Sequence, residues 1–282
     1  MICASLAGAN GAELSPSLDS DGYKIYAKAI TTWAAMTEPP YLTYHVVARA
    51  RHHGRIRRDD DLNVLFRSAD RTGVSQNRIN PAASNATTFG RPRYLPDAAF
   101  RLVPRVAGNF DANLEASPAP ETTSRPLRTI GGIVAQARRY TVDLIGEEPY
   151  RDRHVYHLRL TPLFNPQTNS VREMWVDTET FVTWKLVDEA YIAVGPARGR
   201  FLLNVDYAPI GRAWLIERVT TSGALRFGFI AYGGDAEVVF SQIAAPQQIP
   251  AACFQAETYV LHRAECETAF PSKSLEFPTP RR

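Results

Sequence analysis

Apolar and polar residues alternate most regularly in the stretch Tyr156–Lys185. Tyr156, Leu158 and Leu160 are separated by polar residues, and this period of two is typical of a strand with one buried face. A loop rich in proline and asparagine follows, and two further strands flank the turn Asp177–Thr180. The pattern predicts an antiparallel meander with bulky apolar residues on one face and charged residues on the other.

Near the N-terminus the apolar residues recur at helical spacing instead. Asp21 can cap a helix over Gly22–Met36, and Pro39 and Pro40 end it. The apolar stripe of this helix consists of Ile25, Ala29, Thr32, Trp33 and Met36. The sequence therefore predicts one amphipathic helix ahead of the strands.

After the helix the alternation of a β protein returns. Strands are predicted to begin at Tyr41 and to cover Arg55–Phe66, Ile130–Ile145, His154–Leu160, Val171–Asp177, Phe181–Asp188, Arg200–Tyr207, Ala213–Thr220, Leu225–Ile230 and Glu237–Ala244. Short turns join most of them, including a hairpin signal at Asp70–Gly73. Strands in sequence order with short turns predict an antiparallel sheet, so the fold class is mainly β with helices.

The segment Asn77–Arg128 interrupts this order, since it contains seven prolines and little periodicity. A short helix is predicted over Leu95–Val103, and Ala112–Ser124 has the composition of a flexible loop. We expect one domain over residues 21–255 with an insertion near 77–128. Residues 1–20 are expected to be a leader or the remnant of a signal peptide, and residues 256–282 a C-terminal tail.

Composition narrows the classes of partner. The chain of 282 residues has a formal net charge of only +3, which gives no case for nucleic acid. No stretch of about 18 apolar residues predicts a membrane span. Cys253 and Cys266 lie close enough in sequence to form one disulfide, which would indicate an oxidising compartment. Two unpaired thiols are an equally good interpretation of the spacing.

The histidines and carboxylates that could act in catalysis or bind a metal are better explained by structural roles in strands and turns. His154 and His157 fall on opposite faces of a strand, so they do not chelate one ion. His52 and His53 beside Asp59–Asp61 match no standard metal spacing, and Asp177 suits the turn better than an acid–base pair with Glu173. There is no G-x-S-x-G nucleophile elbow and no C-x-x-C motif. We expect no catalytic residues, no metal and no cofactor.

The order of these elements resembles a known family. The phrases that carry the resemblance are Tyr156-x-Leu158-x-Leu160-x-Pro162, Trp175-Val-Asp177-x-x-Thr180 with Lys185, Phe201–Tyr207, and Ile249-Pro250-x-x-Cys253-Phe254. Together they are similar to the lipoprotein-localisation superfamily of the bacterial envelope, with its LolA/LolB-like and RseB-like proteins. The resemblance covers roughly residues 22–254 and is strongest from Ile130 onward.

The resemblance implies a half-open, strongly curved antiparallel β-barrel whose concave face is covered by helices. Such proteins bind acyl chains or lipidated partners without catalysis, which implies a periplasmic or otherwise extracytoplasmic location, with peripheral membrane contact as an option. Apolar area is what acyl binding requires, at about 0.8 kcal/mol per buried methylene. The candidate lining residues are Trp175, Phe181, Trp184, Phe201, Leu203 and Trp214. The alternatives are an ordinary core made by these residues, a protein-binding structural or sensory module, and a hydrolase that uses the histidines.

Overall fold

The computed structural model describes residues 20–52, 55–80, 86–96, 129–130, 133–134, 139–167, 169–194, 197–211, 213–227 and 230–271. The leader up to residue 19, the loop Ala112–Ser124 and most of the helix expected at Leu95–Val103 lie outside these residues. The thirteen strands within them are β1 Tyr41–His52, β2 Arg55–Arg67, β3 Thr72–Asn77, β4 Thr87–Gly90, β5 Thr129–Ile130, β6 Ile133–Val134, β7 Tyr140–Tyr150, β8 Arg153–Pro162, β9 Val171–Asp177, β10 Thr183–Val194, β11 Ala197–Ile210, β12 Ala213–Phe227 and β13 Ile230–Ala244.

Eleven of these strands form one antiparallel sheet in the order β4-β3-β2-β1-β13-β12-β11-β10-β9-β8-β7, while β5 pairs only with β6. The order consists of two meanders that are joined where β1 pairs with β13. β4 and β7 are the two edges, so the sheet is not closed. The protein is thus mainly β with a curved, half-open antiparallel barrel, as the sequence predicted.

The predicted N-terminal helix is present as α1 (Asp21–Ala34). Its N-cap is Ser20 rather than Asp21, because the Ser20 hydroxyl accepts a hydrogen bond from the Tyr23 amide at 3.3 Å. Ala29 and Trp33 are buried in the main hydrophobic core and Ile25 packs against it, which confirms this part of the predicted stripe, whereas the helix ends before Met36. We call the sheet face that α1 covers the inner face; on β1 it carries Tyr44 and Val46, as part of the same core.

The opposite face, which we call the outer face, carries Thr43, His45 and Val47 on β1 because neighbouring residues of a strand point to opposite sides. Its β2–β3 end is covered by a turn of 3₁₀ helix (Ala251–Phe254) and by two short helices, α2 (Ala256–Leu261) and α3 (Arg263–Ala269). Leu65 and Val74 of the sheet pack there against residues of this helical segment.

The C-terminal segment is therefore more ordered than expected. Residues 256–269, expected to be part of a tail, form α2 and α3, and Tyr259 and Phe270 are buried against the sheet. A disulfide joins Cys253 to Cys266 and so ties the 3₁₀ turn to α3. Tyr259 also accepts a hydrogen bond from the Gln76 side chain of β3 at 2.7 Å. The apolar residues of this segment are too few to predict helices by themselves, and their packing on the sheet stabilises α2 and α3.

Candidate ligand-binding site

The six residues predicted to line a cavity lie on two faces of the sheet. Trp175 and Trp184 belong to a cluster on the outer face with Val155 and Val187, and Trp214 packs against it. The rings of Trp184 and Trp214 meet edge to face, with centroids 4.9 Å apart. Phe181, Leu203 and Phe201 lie on the inner face. The six residues therefore do not line one common cavity.

The outer tryptophans are enclosed by polar side chains. Trp175 stacks on His157 with ring centroids 4.3 Å apart, and the Lys185 ammonium lies 4.5 Å from the Trp175 ring. The guanidinium of Arg153 lies 5.3 Å from the ring of Trp184. Only 7% of Trp175 and 5% of Trp184 is exposed. This cluster is a small second core with cations over its rings, which leaves little aromatic surface for a ligand.

His157 is largely enclosed at the edge of the outer tryptophan cluster. Its side chain is 17% exposed and its Nε2 lies 3.2 Å from the Glu173 carboxylate. His154, three residues earlier, is exposed. The two imidazoles are thus on opposite faces, as the sequence predicted, and His157 takes part in the outer tryptophan cluster.

Phe181 lies beneath α1. Its ring stacks on Tyr156 with centroids 6.4 Å apart, and the Lys28 ammonium of α1 lies 4.4 Å from the ring. Phe181 has a φ of 58°, a left-handed backbone conformation at the end of the Asp177–Thr180 turn. It packs against the main core and is half-buried.

Phe201 and Leu203 lie on a part of the inner face that α1 covers less. α1 packs mainly on β7, β8 and β9 and reaches β11 where Trp33 meets Tyr207, with ring centroids 5.2 Å apart. Further along β11–β13 four large apolar residues remain half-buried. We call them the inner apolar patch, and they are Phe201, Leu203, Val219 and Val238.

Small residues flank the inner apolar patch. Leu203 lies opposite Thr221, which lies opposite Ala236, and Phe201 lies opposite Gly223. A Cβ atom on Gly223 would fall 2.7 Å from Cδ1 of Phe201, so the ring lies directly over the glycine backbone. The patch thus combines large apolar side chains with small neighbours, and the Phe201 ring occupies the space over Gly223.

A buried carboxylate borders the patch. Asp188 lies opposite Leu203 in the β10–β11 register and is 6% exposed. Among the described residues its Oδ1 has no hydrogen-bond partner, and neither has the buried hydroxyl of Tyr207. Burial, together with the nearby charge of Asp188, raises the pKa of Tyr207 well above its ordinary value. The sequence signal for this site is a carboxylate at an inward position between Leu186 and Ala190, which we did not single out.

On the outer face, three polar side chains form a chain that the sequence did not suggest. His45 is 2% exposed. Its Nε2 lies 2.8 Å from Oδ1 of Asp61 and its Nδ1 lies 3.0 Å from Oγ of Ser241. The three residues come from β2, β1 and β13, which are neighbours in the sheet only because β1 pairs with β13. This group could not be predicted from the sequence, because Ser241 and His45 are 196 residues apart in the chain.

Within the described residues, no group of three or more His, Cys, Asp or Glu side chains is arranged to hold a metal ion. The side chain of His52 and all of His53 lie outside those residues. No described helix has the length and apolar character needed to cross a membrane.

No family model matches the chain, and no curated protein matches its sequence. Solved structures to which it is similar include a LolA superfamily protein from Nitrosomonas europaea, at 16% identity and a TM-score of 0.35, covering 84% of this chain and 98% of that one. A proposed outer membrane lipoprotein-sorting protein domain from Vibrio parahaemolyticus has 10% identity and a TM-score of 0.37, with 84% and 97% covered. A DUF1329 family protein from Desulfovibrio piger has 13% identity and a TM-score of 0.36, with 84% and 99% covered.

The names of the first two structures refer to the LolA superfamily and to lipoprotein sorting, and this is the family that the sequence resembles. At TM-scores below 0.5 the similarity carries no argument about function.

Proposed function

We propose that the protein is a non-enzymatic envelope protein that binds a lipid, an acyl chain or the acylated part of a lipoprotein on its inner face. The observation that carries the proposal is the inner apolar patch. Phe201, Leu203, Val219 and Val238 stay half-buried on the part of the inner face that α1 covers less. Covering this patch with an acyl chain would remove apolar surface from water, at roughly 25 cal/mol per Å².

An extracytoplasmic location belongs to the same proposal. The Cys253–Cys266 disulfide supports it, because disulfides persist in oxidising compartments such as the periplasm. The resemblance of the sequence to envelope proteins supports it as well. An envelope location would place the protein where lipidated partners and the membrane surface are within reach.

The proposal is tested by lipid uptake. The protein is expressed with a periplasmic address, purified natively and analysed by mass spectrometry for bound lipid, and a fluorescent fatty acid is then titrated into delipidated protein. We expect Phe201→Ala and Leu203→Ala to weaken fatty-acid binding about 5- to 20-fold, since each removes about 1–2 kcal/mol of apolar contact. Failure of folded protein to take up any lipid would rule the proposal out.

The chain offers a matched control for these variants. Leu202 lies between Phe201 and Leu203 but on the outer face, where it is 41% exposed. Leu202→Ala removes the same kind of side chain from the same strand, so it should leave fatty-acid binding within about twofold. Trp175→Ala should lower stability by about 3–5 kcal/mol without a selective loss of binding, because Trp175 belongs to the outer cluster. Equal effects of Leu202→Ala and Leu203→Ala would place the ligand elsewhere.

A second candidate function is ester hydrolysis, which the Ser241–His45–Asp61 chain favours. A hydroxyl, an imidazole and a carboxylate in series can activate a serine nucleophile. The imidazole is almost fully enclosed, however, and the trio bridges three adjacent strands, so its geometry serves the sheet equally well. We expect no labelling of Ser241 by a fluorophosphonate probe and no Ser241-dependent hydrolysis of p-nitrophenyl acetate. Labelling that Ser241→Ala abolishes would establish the hydrolase instead.

A further inference from the structure

A cavity of about 580 Å³ lies on the outer face between the β2–β4 edge of the sheet and α3. Its volume falls in the range of small-molecule sites, roughly 300–1,000 Å³. The residues that line it on the sheet side include Asn63, Gln76 and Arg78, and α3 contributes Arg263, Glu267 and Thr268. It is separate from the inner apolar patch, because the two lie on opposite faces of the sheet.

One wall of this cavity holds a buried acceptor. Asn63 is 9% exposed, and its Oδ1 has no hydrogen-bond partner among the described residues. An amide oxygen that is buried without a partner costs free energy, so such atoms in native proteins usually receive a hydrogen bond from water or from a ligand. Asn63 lines the cavity, so a small rotation of its side chain would present this unpartnered oxygen to a hydroxyl or N–H group of a bound molecule.

Two guanidinium groups supply positive charge at the same cavity. Nε of Arg78 approaches Oδ1 of Asp61 only to 3.7 Å, which is longer than a hydrogen bond. Nε of Arg263 donates a hydrogen bond to Oε1 of Glu267 at 2.6 Å, but the Arg263 side chain is 70% exposed. Each guanidinium carries five N–H donors, so neither is saturated by one carboxylate contact. The planar fork of arginine suits phosphate and carboxylate groups.

The cavity has a stable frame. The disulfide between Cys253 and Cys266 fixes α3, and the hydrogen bond from Gln76 to Tyr259 ties α2 to β3. Phe270, which also lines the cavity, is buried in the cluster beneath these helices. The disulfide and the hydrogen bond hold these walls in place, so little conformational entropy of the chain is lost when a ligand binds there.

We propose that this cavity binds a small organic anion that carries a hydroxyl group close to its charge, as a glycerol phosphate does. The phosphate or carboxylate lies between Arg78 and Arg263, and the hydroxyl donates a hydrogen bond to Oδ1 of Asn63. This chemistry is shared by a free polyol phosphate and by the headgroup of a glycerophospholipid. The site is independent of acyl binding on the inner face, so either can fail without the other.

The test is isothermal titration of the full chain with sn-glycerol 3-phosphate and with propyl phosphate, which lacks the hydroxyls. We expect glycerol 3-phosphate to bind about 5- to 10-fold more tightly, and Asn63→Leu to abolish that difference. Arg78→Gln should weaken both ligands about tenfold, and Arg263→Gln, at an exposed position, provides a second variant that does not depend on folding. Arg218→Gln is the control, since Arg218 lies on the outer face away from the cavity and pairs with Glu237.

Three results would overturn the proposal. They are an absence of binding at millimolar glycerol 3-phosphate, equal affinity for the two phosphates in the native chain, and unchanged affinity in both arginine variants. A further arm with dihexanoylphosphatidylglycerol separates the two sources. Binding that is tighter than that of glycerol 3-phosphate and that Arg78→Gln weakens identifies a lipid headgroup at this cavity. Weaker or equal binding identifies a free solute, and both results support the site.

Discussion

Asp177 organises both a turn and the tryptophan cluster behind it. Its Oδ1 accepts hydrogen bonds from the Thr180 amide at 2.7 Å, the Thr180 hydroxyl at 2.8 Å and the Glu179 amide at 3.0 Å. Its Oδ2 accepts one from the indole N–H of Trp184 at 3.2 Å. The residue is 2% exposed, and its bonds to Glu179 and Thr180 give it the turn role that the sequence predicted.

This environment predicts a dependence of stability on pH. Burial by itself would raise the pKa of Asp177, but hydrogen bonds from the backbone and hydroxyl of Thr180 and from the Trp184 indole hold the pKa below its ordinary value. The ionised form is therefore favoured in the folded state, and its contribution is complete above the unfolded pKa of about 3.9. As the pH falls through the lower folded pKa, that contribution is lost.

We expect Asp177→Asn to lower the free energy of unfolding by about 1–3 kcal/mol at pH 7, since a charged acceptor of five donors is lost, Arg153 among them at 3.5 Å. Urea unfolding from pH 6 to pH 2 measures the effect, and the difference between native chain and variant should shrink below about pH 4. Asp152→Asn, at an exposed position in the β7–β8 turn, is the control and should change stability by less than about 0.5 kcal/mol. A difference that stays constant with pH would contradict this account.

At the scale of elements, α1 depends on a close approach to the edge of the sheet. A Cβ atom on the buried Gly22 would lie 2.8 Å from both the amide nitrogen of Leu144 and the carbonyl oxygen of Val142 on β7. β7 is an edge strand, whose backbone would otherwise be open to pairing with another chain. The glycine lets the first turn of α1 lie against that backbone.

Gly22→Ala should therefore destabilise the protein by about 1–3 kcal/mol through overpacking, even though alanine is the better helix former by about 1 kcal/mol. Chemical denaturation measures the change. Thr31→Ala, at an exposed position on the same helix, is expected to stay within about 0.7 kcal/mol of the native chain. If Gly22→Ala proved neutral or stabilising, α1 would have to be able to move away from β7 without cost.

A strand bulge brings Trp184 to the outer face. The pairing of β9 with β10 shifts register between Thr183 and Lys185. As a result the neighbours Trp184 and Lys185 both contact the outer tryptophan cluster, whereas regular alternation would place them on opposite faces. Most strands could be predicted from residue periodicity, although the sequence divided β12 (Ala213–Phe227) between the predicted strands Ala213–Thr220 and Leu225–Ile230. A one-residue shift in pairing could not be predicted.

At the scale of the whole molecule, the pairing of β1 with β13 makes one sheet from two meanders. It brings His45 beside Ser241, and it makes the inner face continuous from Ala48 through Val238 and Val219 towards β11. The helices cover different faces of this sheet. α1 packs on the inner face, and the disulfide-linked C-terminal helices pack on the outer face, so the inner apolar patch and the cavity beside Asn63 are separate sites.

The sequence by itself determined the local structure of this protein. Periods of 2 and 3.6 residues, prolines and turn residues act over a few neighbours, so the strands, α1 and the Asp177 turn could be predicted from them. Tertiary structure decided which strand joins the ends of the sheet, which face each tryptophan occupies, and that residues 256–269 fold against β2 and β3. These features depend on pairings between residues far apart in the chain, and local periodicity carries no information about such pairings.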